Sequence, residues 1–365
     1  MEPIARAELL RRRAFSHGLS TQALPGGPAA AASRLFALQG QDLPGVLWSV
    51  GVRTGATQDE VRAAFNDATL VRTWPFRGTL HVMAAEDVYW VLALTAERTV
   101  RSAARRRAEL DLDQRTLERA RDTAREALAG RRALSRKSLL SRFESAGIST
   151  AGQRGYHLLW HLSVTGTTVL GPFDGAEQQF ALLDEWVDRR RSLDGDAALA
   201  ELARRYLAGR YPATEADLAW WAKLPVTAIR RGLEACGPEL EEVEYDGAAH
   251  LQPGQQRDGA DSARIETAVL LPGFDEYLLG YTDRSAALAA EHAPLTVPGS
   301  NGVFKPTLVL RGRVAGIWSR KTTRTSTVVT VRPFSPLSTR SWNAVERAAA
   351  GYGRFLGTPV VLGKS

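Results

Sequence analysis

The sequence predicts an α+β fold: tandem winged-helix units, three helix-turn-helix units with wings, followed by a C-terminal small antiparallel β-barrel. Three observations predict it. Short amphipathic helices followed by two short strands recur three times along the chain. An Arg-rich helical stretch separates the first two occurrences, and after about residue 262 the helical period gives way to alternating β-branched runs. At 365 residues the chain is long enough to build several cores.

The first unit is expected over 1–95. Helices at 5–15 and 28–39 precede "TQDEVRAAFND", the strands "TLVRTW" and "GTLHVM" follow, and "AAEDVYWVLALTAER" closes the unit. Residues 96–135 read as a helical, Arg-rich linker. The second unit, 136–190, has the helix "RKSLLSRFESAG" stopped by Gly147, then "AGQRGYHLLWHLSVTG", then wing strands in "TTVLG" and "QQFALLDEW". The third, 195–255, is the clearest. Thr214 caps "EADLAWWAK" with acids in the first turn, Pro225 opens "VTAIRRGLEA", and Asp246-Gly247 signals a hairpin. Residues 262–365 give strand runs with a turn at Arg311-Gly312 and a terminal helix, "STRSWNAVERAAAGYGRFLG".

Composition narrows the function classes. Apolar residues make up 44% of the chain, and no run of 18 uninterrupted apolar residues occurs, so no membrane span is expected. The N-terminus lacks a secretory h-region, which predicts a cytoplasmic protein. The formal charge of +7 leans towards a polyanion, with cations gathered in "RSAARRR", "RDTAREALAGRRALSRK" and "RGRVAGIWSRKTTRTSTVVTVR". Winged helices hold duplex DNA through one helix in a groove and a wing on phosphates, although the same folds also serve as protein-interaction modules. With three copies and a basic hairpin, double-stranded DNA is the expected partner, and a nucleoid-associated location follows. A monomer is expected, since no heptad or dimerisation helix is visible.

Several signals are read as structural. Cys236 is the only cysteine, so disulfides and cysteine zinc sites are excluded, and a buried helical position is expected. His157 and His161 have the i, i+4 spacing of metal ligands but lack a third ligand, so helix packing is expected and no metal. Asp275-Glu276 in "GFDEY" would face opposite ways on a strand, which leaves one as a structural or orienting group. "GGP" at 26–28 is a helix-start loop, and nothing suggests a nucleotide or other cofactor.

The stretch "RLFALQGQDLPGVLW" places Gln39 and Gln41 where the Ala-rich helix is expected to end. Residues i and i+2 on a continued helix point about 200° apart, so two such amides cannot share a site there. Gly40 and Pro44 allow the chain to leave helical geometry, so that both can converge. Taken alone, the residues leave two readings: polar capping of a helix end, or the working groups of a site.

Four ordered segments, "LQGQDLPGVLWSVGVRT", "LVRTWPFRGTLHVMAAEDVYWVLAL", "LLPGFDEYLLGYTDRS" and "KPTLVLRGRVAGIW", resemble the bacterial winged-helix DNA glycosylases of the AlkZ and YcaQ type over nearly the whole chain. The resemblance implies tandem winged helices with a C-terminal β-barrel and excision of alkylated bases. It extends to unhooking of interstrand crosslinks and to self-resistance in a producer of a DNA-alkylating antibiotic. The family's catalytic motif is glutamine, a usually bulky apolar residue, then glutamine in the AlkZ branch or aspartate in the YcaQ branch. It maps onto Gln39-Gly40-Gln41, the AlkZ form, with glycine departing from the pattern and leaving room for a large adduct.

Amides suit that chemistry. An N7- or N3-alkylated purine is already cationic and leaves as a neutral base, so the leaving group needs no proton, unlike the sugar of a glycoside. What remains is to hold a water and place negative dipole near developing positive charge, which an amide carbonyl does without titrating. A monofunctional hydrolase acting on alkylated purines, especially N7-alkylguanine including bulky adducts or crosslinks, is therefore expected. Lys137, Lys223, Lys305, Lys321 and Lys364 are the only lysines, and none is marked as a Schiff-base nucleophile. Arg77 and His81 are candidate DNA contacts, with Trp74 either stacking or core. By the family likeness the hairpin from about 305 to 332, with Lys305, Arg311, Arg313, Arg320, Lys321 and Arg324, should enter a groove. The rival expectation is a non-enzymatic winged-helix DNA-binding regulator.

Overall fold

The computed structural model describes residues 2–254, 264–300, 302–323 and 326–364, and is a mixed α+β protein. The first elements are β1 (Glu2–Pro3), α1 (Arg6–Ser16), α2 (Pro28–Leu35), β2 (Ala37–Gln39), α3 (Leu43–Thr54) and α4 (Gln58–Asn66). They continue with β3 (Leu70–Phe76), β4 (Thr79–Ala84), α5 (Val88–Ser102), α6 (Ala104–Glu109) and α7 (Gln114–Leu128). Next come α8 (Arg136–Ser145), α9 (Arg154–Val164), β5 (Thr168–Asp174), β6 (Glu177–Leu182) and α10 (Leu183–Trp186). Then follow α11 (Gly195–Arg210), α12 (Glu215–Ala222), α13 (Val226–Cys236), β7 (Leu240–Tyr245) and β8 (Ala248–Pro253). The C-terminal part adds β9 (Ala268–Leu271), the short helix Glu276–Leu279, β10 (Thr307–Leu310), β11 (Arg313–Thr322), β12 (Thr327–Pro333), the terminal helix Thr339–Leu356 and β13 (Val360–Lys364).

The chain divides into two compact units, one of residues Met1–Val61 with Leu199–Ser365 and one of Arg62–Ala198. In the inserted unit, β4, β3, β5 and β6 lie side by side in that order. The two hairpins are antiparallel, with Thr73 opposite His81 and Val169 opposite Ala181, and they join through Arg72 and Leu170. Helix α7 buries Leu117, Ala120, Ala124 and Leu128, a one-sided stripe at helical spacing. Asp113 caps its start by accepting from the Thr116 N–H. That stripe packs with Phe143, Leu158, Trp160, Leu170 and Phe180 into one core. Trp74 belongs to this core and is 5% exposed, so packing and not stacking is its place.

The other unit holds the helix run α11, α12 and α13 with the hairpin β7–β8. Thr214 and Asp217 form a reciprocal capping box at the start of α12. The hairpin turns at Asp246 and Gly247 with φ of 51° and 74°, the positive-φ pair that a tight hairpin turn requires. The dipeptide β1 adds to β7 in parallel, Glu2 opposite Val243.

The C-terminal sheet has the order β13-β12-β11-β10-β9. It curls as a half-barrel, because among the described residues no ladder joins β9 to β13. This corrects the expected small antiparallel barrel, which is open and has one parallel edge. Parallel neighbours need a crossover, and the terminal helix supplies it: it carries the chain from β12 back to β13, which pairs in parallel through Thr327 and Val360. That helix is pinned by aromatic contacts. Tyr352 meets Trp48 edge-on at 4.9 Å and Trp318 at 5.3 Å, and the two indole N–H groups donate to the carbonyls of Leu270 and Leu271. Among the described residues no helix is long and apolar enough to cross a membrane.

Candidate active site

The first surprise lies just before the glutamines. The expected helix over 28–39 stops at Leu35, Phe36 turns the chain with φ 63° and ψ −50°, and Ala37–Gln39 is strand. A positive φ on a bulky residue costs about 1–3 kcal/mol and persists only when its surroundings enforce it. Arg210 is the enforcer. Its Nη1 donates to the Leu35 carbonyl at 2.8 Å and its Nη2 to the Ala37 carbonyl at 3.0 Å, so one guanidinium holds the carbonyls on both sides of Phe36. Gly209 lets α11 come this close: a Cβ there would lie 2.4 Å from the Arg34 carbonyl oxygen.

The strand ends at Gln39 and the chain bends at Gln41, and across Gly40 the two amides meet. Gln39 Nε2 donates to Gln41 Oε1 at 2.7 Å, and the Gln41 backbone N–H donates to Gln39 Oε1 at 3.1 Å. These bonds fix the orientation of the Gln39 amide, since flipping it would set its NH2 against another donor. Gln39 is 7% exposed, whereas Gln41 is exposed. The buried amide therefore orients the accessible one.

Asp275 and Glu276 flank this segment. They do not alternate on a strand as expected. Phe274 takes φ 61°, Asp275 caps the short helix Glu276–Leu279 by accepting from the Tyr277 N–H at 2.9 Å, and both carboxylates turn inward. Glu276 Oε1 accepts from the Gln39 backbone N–H at 3.0 Å. Its Oε2 accepts from Arg210 Nη2 at 2.7 Å and Trp221 Nε1 at 2.8 Å. Asp275 binds Arg53 of α3 in a two-pronged pair, at 2.8 and 2.9 Å, and accepts from Ser49 Oγ at 2.7 Å. Both ion pairs are buried. Removing one partner of such a pair typically costs about 3–5 kcal/mol, since it strands the other charge.

Next to these pairs, His17 Nε2 lies 3.0 Å from the Tyr281 hydroxyl, which itself donates to the Arg210 carbonyl. Burial first, and then the charges of Arg53, Arg210, Arg13 and Arg34, hold the His17 pKa well below the usual imidazole range. Burial likewise pushes the Tyr281 phenol up. The ring is thus a neutral spacer among cations.

Sequence reasoning missed Arg210, Trp221 and Arg53. Nothing local marks them, since each works through partners distant along the chain. Of the expected DNA contacts, Arg77 and His81 do come together. Arg77 Nη2 lies 3.2 Å from His81 Nε2, while His81 Nδ1 donates to the Thr79 carbonyl at 2.9 Å, which makes Nε2 the acceptor. His81 is fully buried against Phe76.

The basic hairpin resolves into two hairpins sharing β11. Arg311 and Arg313 are exposed at the β10–β11 end, and Arg320 and Lys321 lie at the other end, about 23 Å away at strand rise. Lys305 is half-buried before β10. Arg324 lies outside the described residues. The Arg311-Gly312 turn is docked on the core, since the Gly312 carbonyl accepts from the Tyr277 hydroxyl at 2.7 Å. Among the described residues no group of three His, Cys, Asp or Glu side chains is placed to hold a metal. Burial, with Arg107 nearby, brings the His161 pKa down to about 4. Cys236 is buried at the end of α13, where burial raises its thiol pKa.

The chain is 28% identical over 337 residues to an interstrand DNA cross-link repair glycosylase of Streptomyces sahachiroi, covering 89% of each chain. The solved structure of the Streptomyces sahachiroi DNA glycosylase AlkZ superposes with a TM-score of 0.80 at 24% identity, covering 99% of this chain and 100% of that one, and so shares the fold. A model of the AlkZ-like DNA glycosylases matches residues 32–355, from the end of α2 through the terminal helix, and the chain belongs to that family.

Proposed function

We propose that this DNA glycosylase hydrolyses the N-glycosidic bond of alkylated purines in double-stranded DNA, N7-alkylguanine above all, with Gln39 and Gln41 as the reacting amides. The observation that carries the reading is the hydrogen-bonded pair itself, one amide buried and fixed, the other exposed. Gln41 Oε1 accepts from the attacking water and its carbonyl dipole stabilises the positive charge of the oxocarbenium-like transition state, while the proton of the added water passes to solvent. No acid is needed, because the cationic base leaves neutral. Both oxygens of Glu276 are already taken by Gln39, Arg210 and Trp221, which removes that carboxylate from the reaction. The products are free base and an abasic site, without a covalent intermediate.

Bulky N7 adducts and crosslinks are included in the proposed substrate range. Gly40 adds no side chain between the amides, and the curated relative from Streptomyces sahachiroi is described as a cross-link repair glycosylase. In a cell that makes a DNA-alkylating compound, the same reaction would serve self-protection. The helix runs with hairpins at 1–95, 136–190 and 195–255 are read as winged-helix modules followed by the half-barrel, and the expected linker at 96–135 is corrected to core structure, since α7 packs with α8, α9, β5 and β6. Arg77, Lys305 and the β11 cations Arg313, Arg320 and Lys321 are read as the DNA-facing set, with the expected contact His81 corrected to a buried partner that orients Arg77 and Arg311 placed in the docked β10–β11 turn. Of these, the β11–β12 end is favoured for groove entry, because the other turn is docked on the core.

The test is single-turnover base release from DNA carrying N7-methylguanine and, separately, a bulky N7-guanine adduct. Wild type should release both, and Gln39→Ala and Gln41→Ala should each fall on the order of 10²-fold with DNA binding kept. Failure of wild type to release either base would overturn the N7-alkylguanine reading and leave a different lesion or a DNA-binding regulator.

A further inference from the structure

We propose that Asp275 and Glu276 are positioning residues that bracket the Gln39-Gly40-Gln41 motif from its two ends and set the geometry of the amide pair. This rests on the reading of the glutamines as the reacting groups. Glu276 grips the chain before the motif: it takes the Gln39 backbone N–H and anchors Arg210, whose guanidinium holds the carbonyls of Leu35 and Ala37. Asp275 grips the chain after it: it takes both Nη atoms of Arg53 and the hydroxyl of Ser49, which lie on α3, the helix that begins two residues beyond Gln41. Adjacent in sequence and held at one helix start, the two carboxylates cannot move independently. The segment between β2 and α3 is thereby fixed at both ends by one dipeptide.

Two further features fit a device that fixes position and not merely a stable core. The corner it enforces, Phe36, is in a conformation the chain does not choose locally, so the path into Gln39 depends on the Arg210–Glu276 pair. Space is also reserved for the strap. A Cβ on Gly280 would lie 3.0 Å from Arg210 Cδ and 2.8 Å from the Glu276 carbonyl oxygen. Arg210 is packed over the Trp221 ring at 4.3 Å, which keeps its plane aligned with Glu276.

The experiment measures three quantities for Glu276→Ala, Glu276→Gln, Trp221→Phe and Ser49→Ala: the single-turnover rate of N7-methylguanine release at saturating enzyme, the Kd for the same DNA, and Tm. Misplacement by about 1 Å costs on the order of 10²-fold in rate, so Glu276→Ala should fall that far while Kd changes by less than about threefold. Glu276→Gln keeps an acceptor for the Gln39 N–H and should recover about tenfold of the loss. Trp221→Phe and Ser49→Ala each delete one hydrogen bond to the bracket and should slow release about fivefold. These two milder variants decide the matter should Glu276→Ala fail to fold. Lowered Tm with unchanged rates in the folded variants would make the bracket structural only and overturn the proposal. Gln39→Ala and Gln41→Ala run alongside. Unchanged rates there sink the reading of the glutamines, whereas slow glutamine variants with full-rate bracket variants sink the bracket alone.

Discussion

Gln39 Nε2 lies 2.7 Å from Gln41 Oε1, so a buried amide donates to the carbonyl of an exposed one two residues on. The two variants therefore both act on rate and on stability. Gln41→Ala should lose on the order of 10² in base-release rate and also about 1 kcal/mol of stability, because the Nε2 donor of the buried Gln39 loses its acceptor. Gln39→Ala should lose a similar factor and also about 1 kcal/mol of stability, because the Gln41 N–H loses its partner. Since amides do not titrate, the wild-type rate should be flat from about pH 6 to 8. Gln41→Glu, by contrast, should acquire a pH dependence near the ordinary glutamate range. A bell-shaped wild-type profile would point to an acid or base outside the amide pair.

Gly209 should behave against the usual rule. In a helix interior, glycine to alanine normally stabilises by up to about 1 kcal/mol. Here the added Cβ would meet the Arg34 carbonyl oxygen at 2.4 Å and Leu35 Cα at 2.9 Å, both backbone atoms that cannot swing aside. Gly209→Ala should therefore destabilise by about 1–3 kcal/mol, read by thermal or denaturant unfolding. Base release should slow as well, because α11 carries Arg210 to the corner before Gln39. A stabilised Gly209→Ala would contradict the close approach of α11 to this segment.

What was legible in the sequence was whatever is decided locally. The start of α12 shows in Thr214 with Asp217, and the β7–β8 turn shows in Asp246-Gly247, because capping and positive-φ turns use neighbours in sequence. The end of α2 was not legible. Its Ala-rich run has no local stop before Gly40, and the break at Phe36 is imposed by Arg210, far along the chain. The glutamines were found, but at the wrong kind of junction: a helix end was expected at Gln39, where a short strand ends and the chain bends at Gln41. β1 and β13 escaped because two- to five-residue edges have no period of their own and exist only through β7 and β12. Glu276 looked like half of an alternating pair until the helix start at Asp275 turned both carboxylates inward.

Stability should fall as the pH is lowered from 7 towards 5. Burial and nearby arginines hold His17 well below its ordinary value, and burial with Arg107 holds His161 down at about 4. Between these values and the unfolded value near 6.5, the unfolded chain binds protons that the folded chain does not, so stability rises with pH. The contribution is full above about 6.5 and is lost as the pH falls towards the folded values. Carboxylates with lowered values, such as Glu8 and Glu144, act only below their ordinary range, which leaves histidine in control of the window from 7 to 5. His161→Gln should flatten the Tm-against-pH curve there. An unaltered slope would mean that His161 titrates alike in the folded and the unfolded chain.

The two ends of β11 should contribute differently to DNA binding. Arg313 and Arg320 are seven positions apart on one strand, about 23 Å, which is more than one groove contact spans. The turn near Arg311 is fastened to the core through Gly312 and Tyr277, whereas Lys321 is exposed near the β11–β12 turn. A phosphate contact contributes about one to the slope of log Kd against log salt. Lys321→Ala should lower that slope by about one and weaken binding evenly across sequences, while Arg311→Ala should leave it nearly unchanged. The opposite pattern, with Arg311 lowering the slope and Lys321 silent, would move the DNA contact to the docked turn and reverse the assignment of the inserting end.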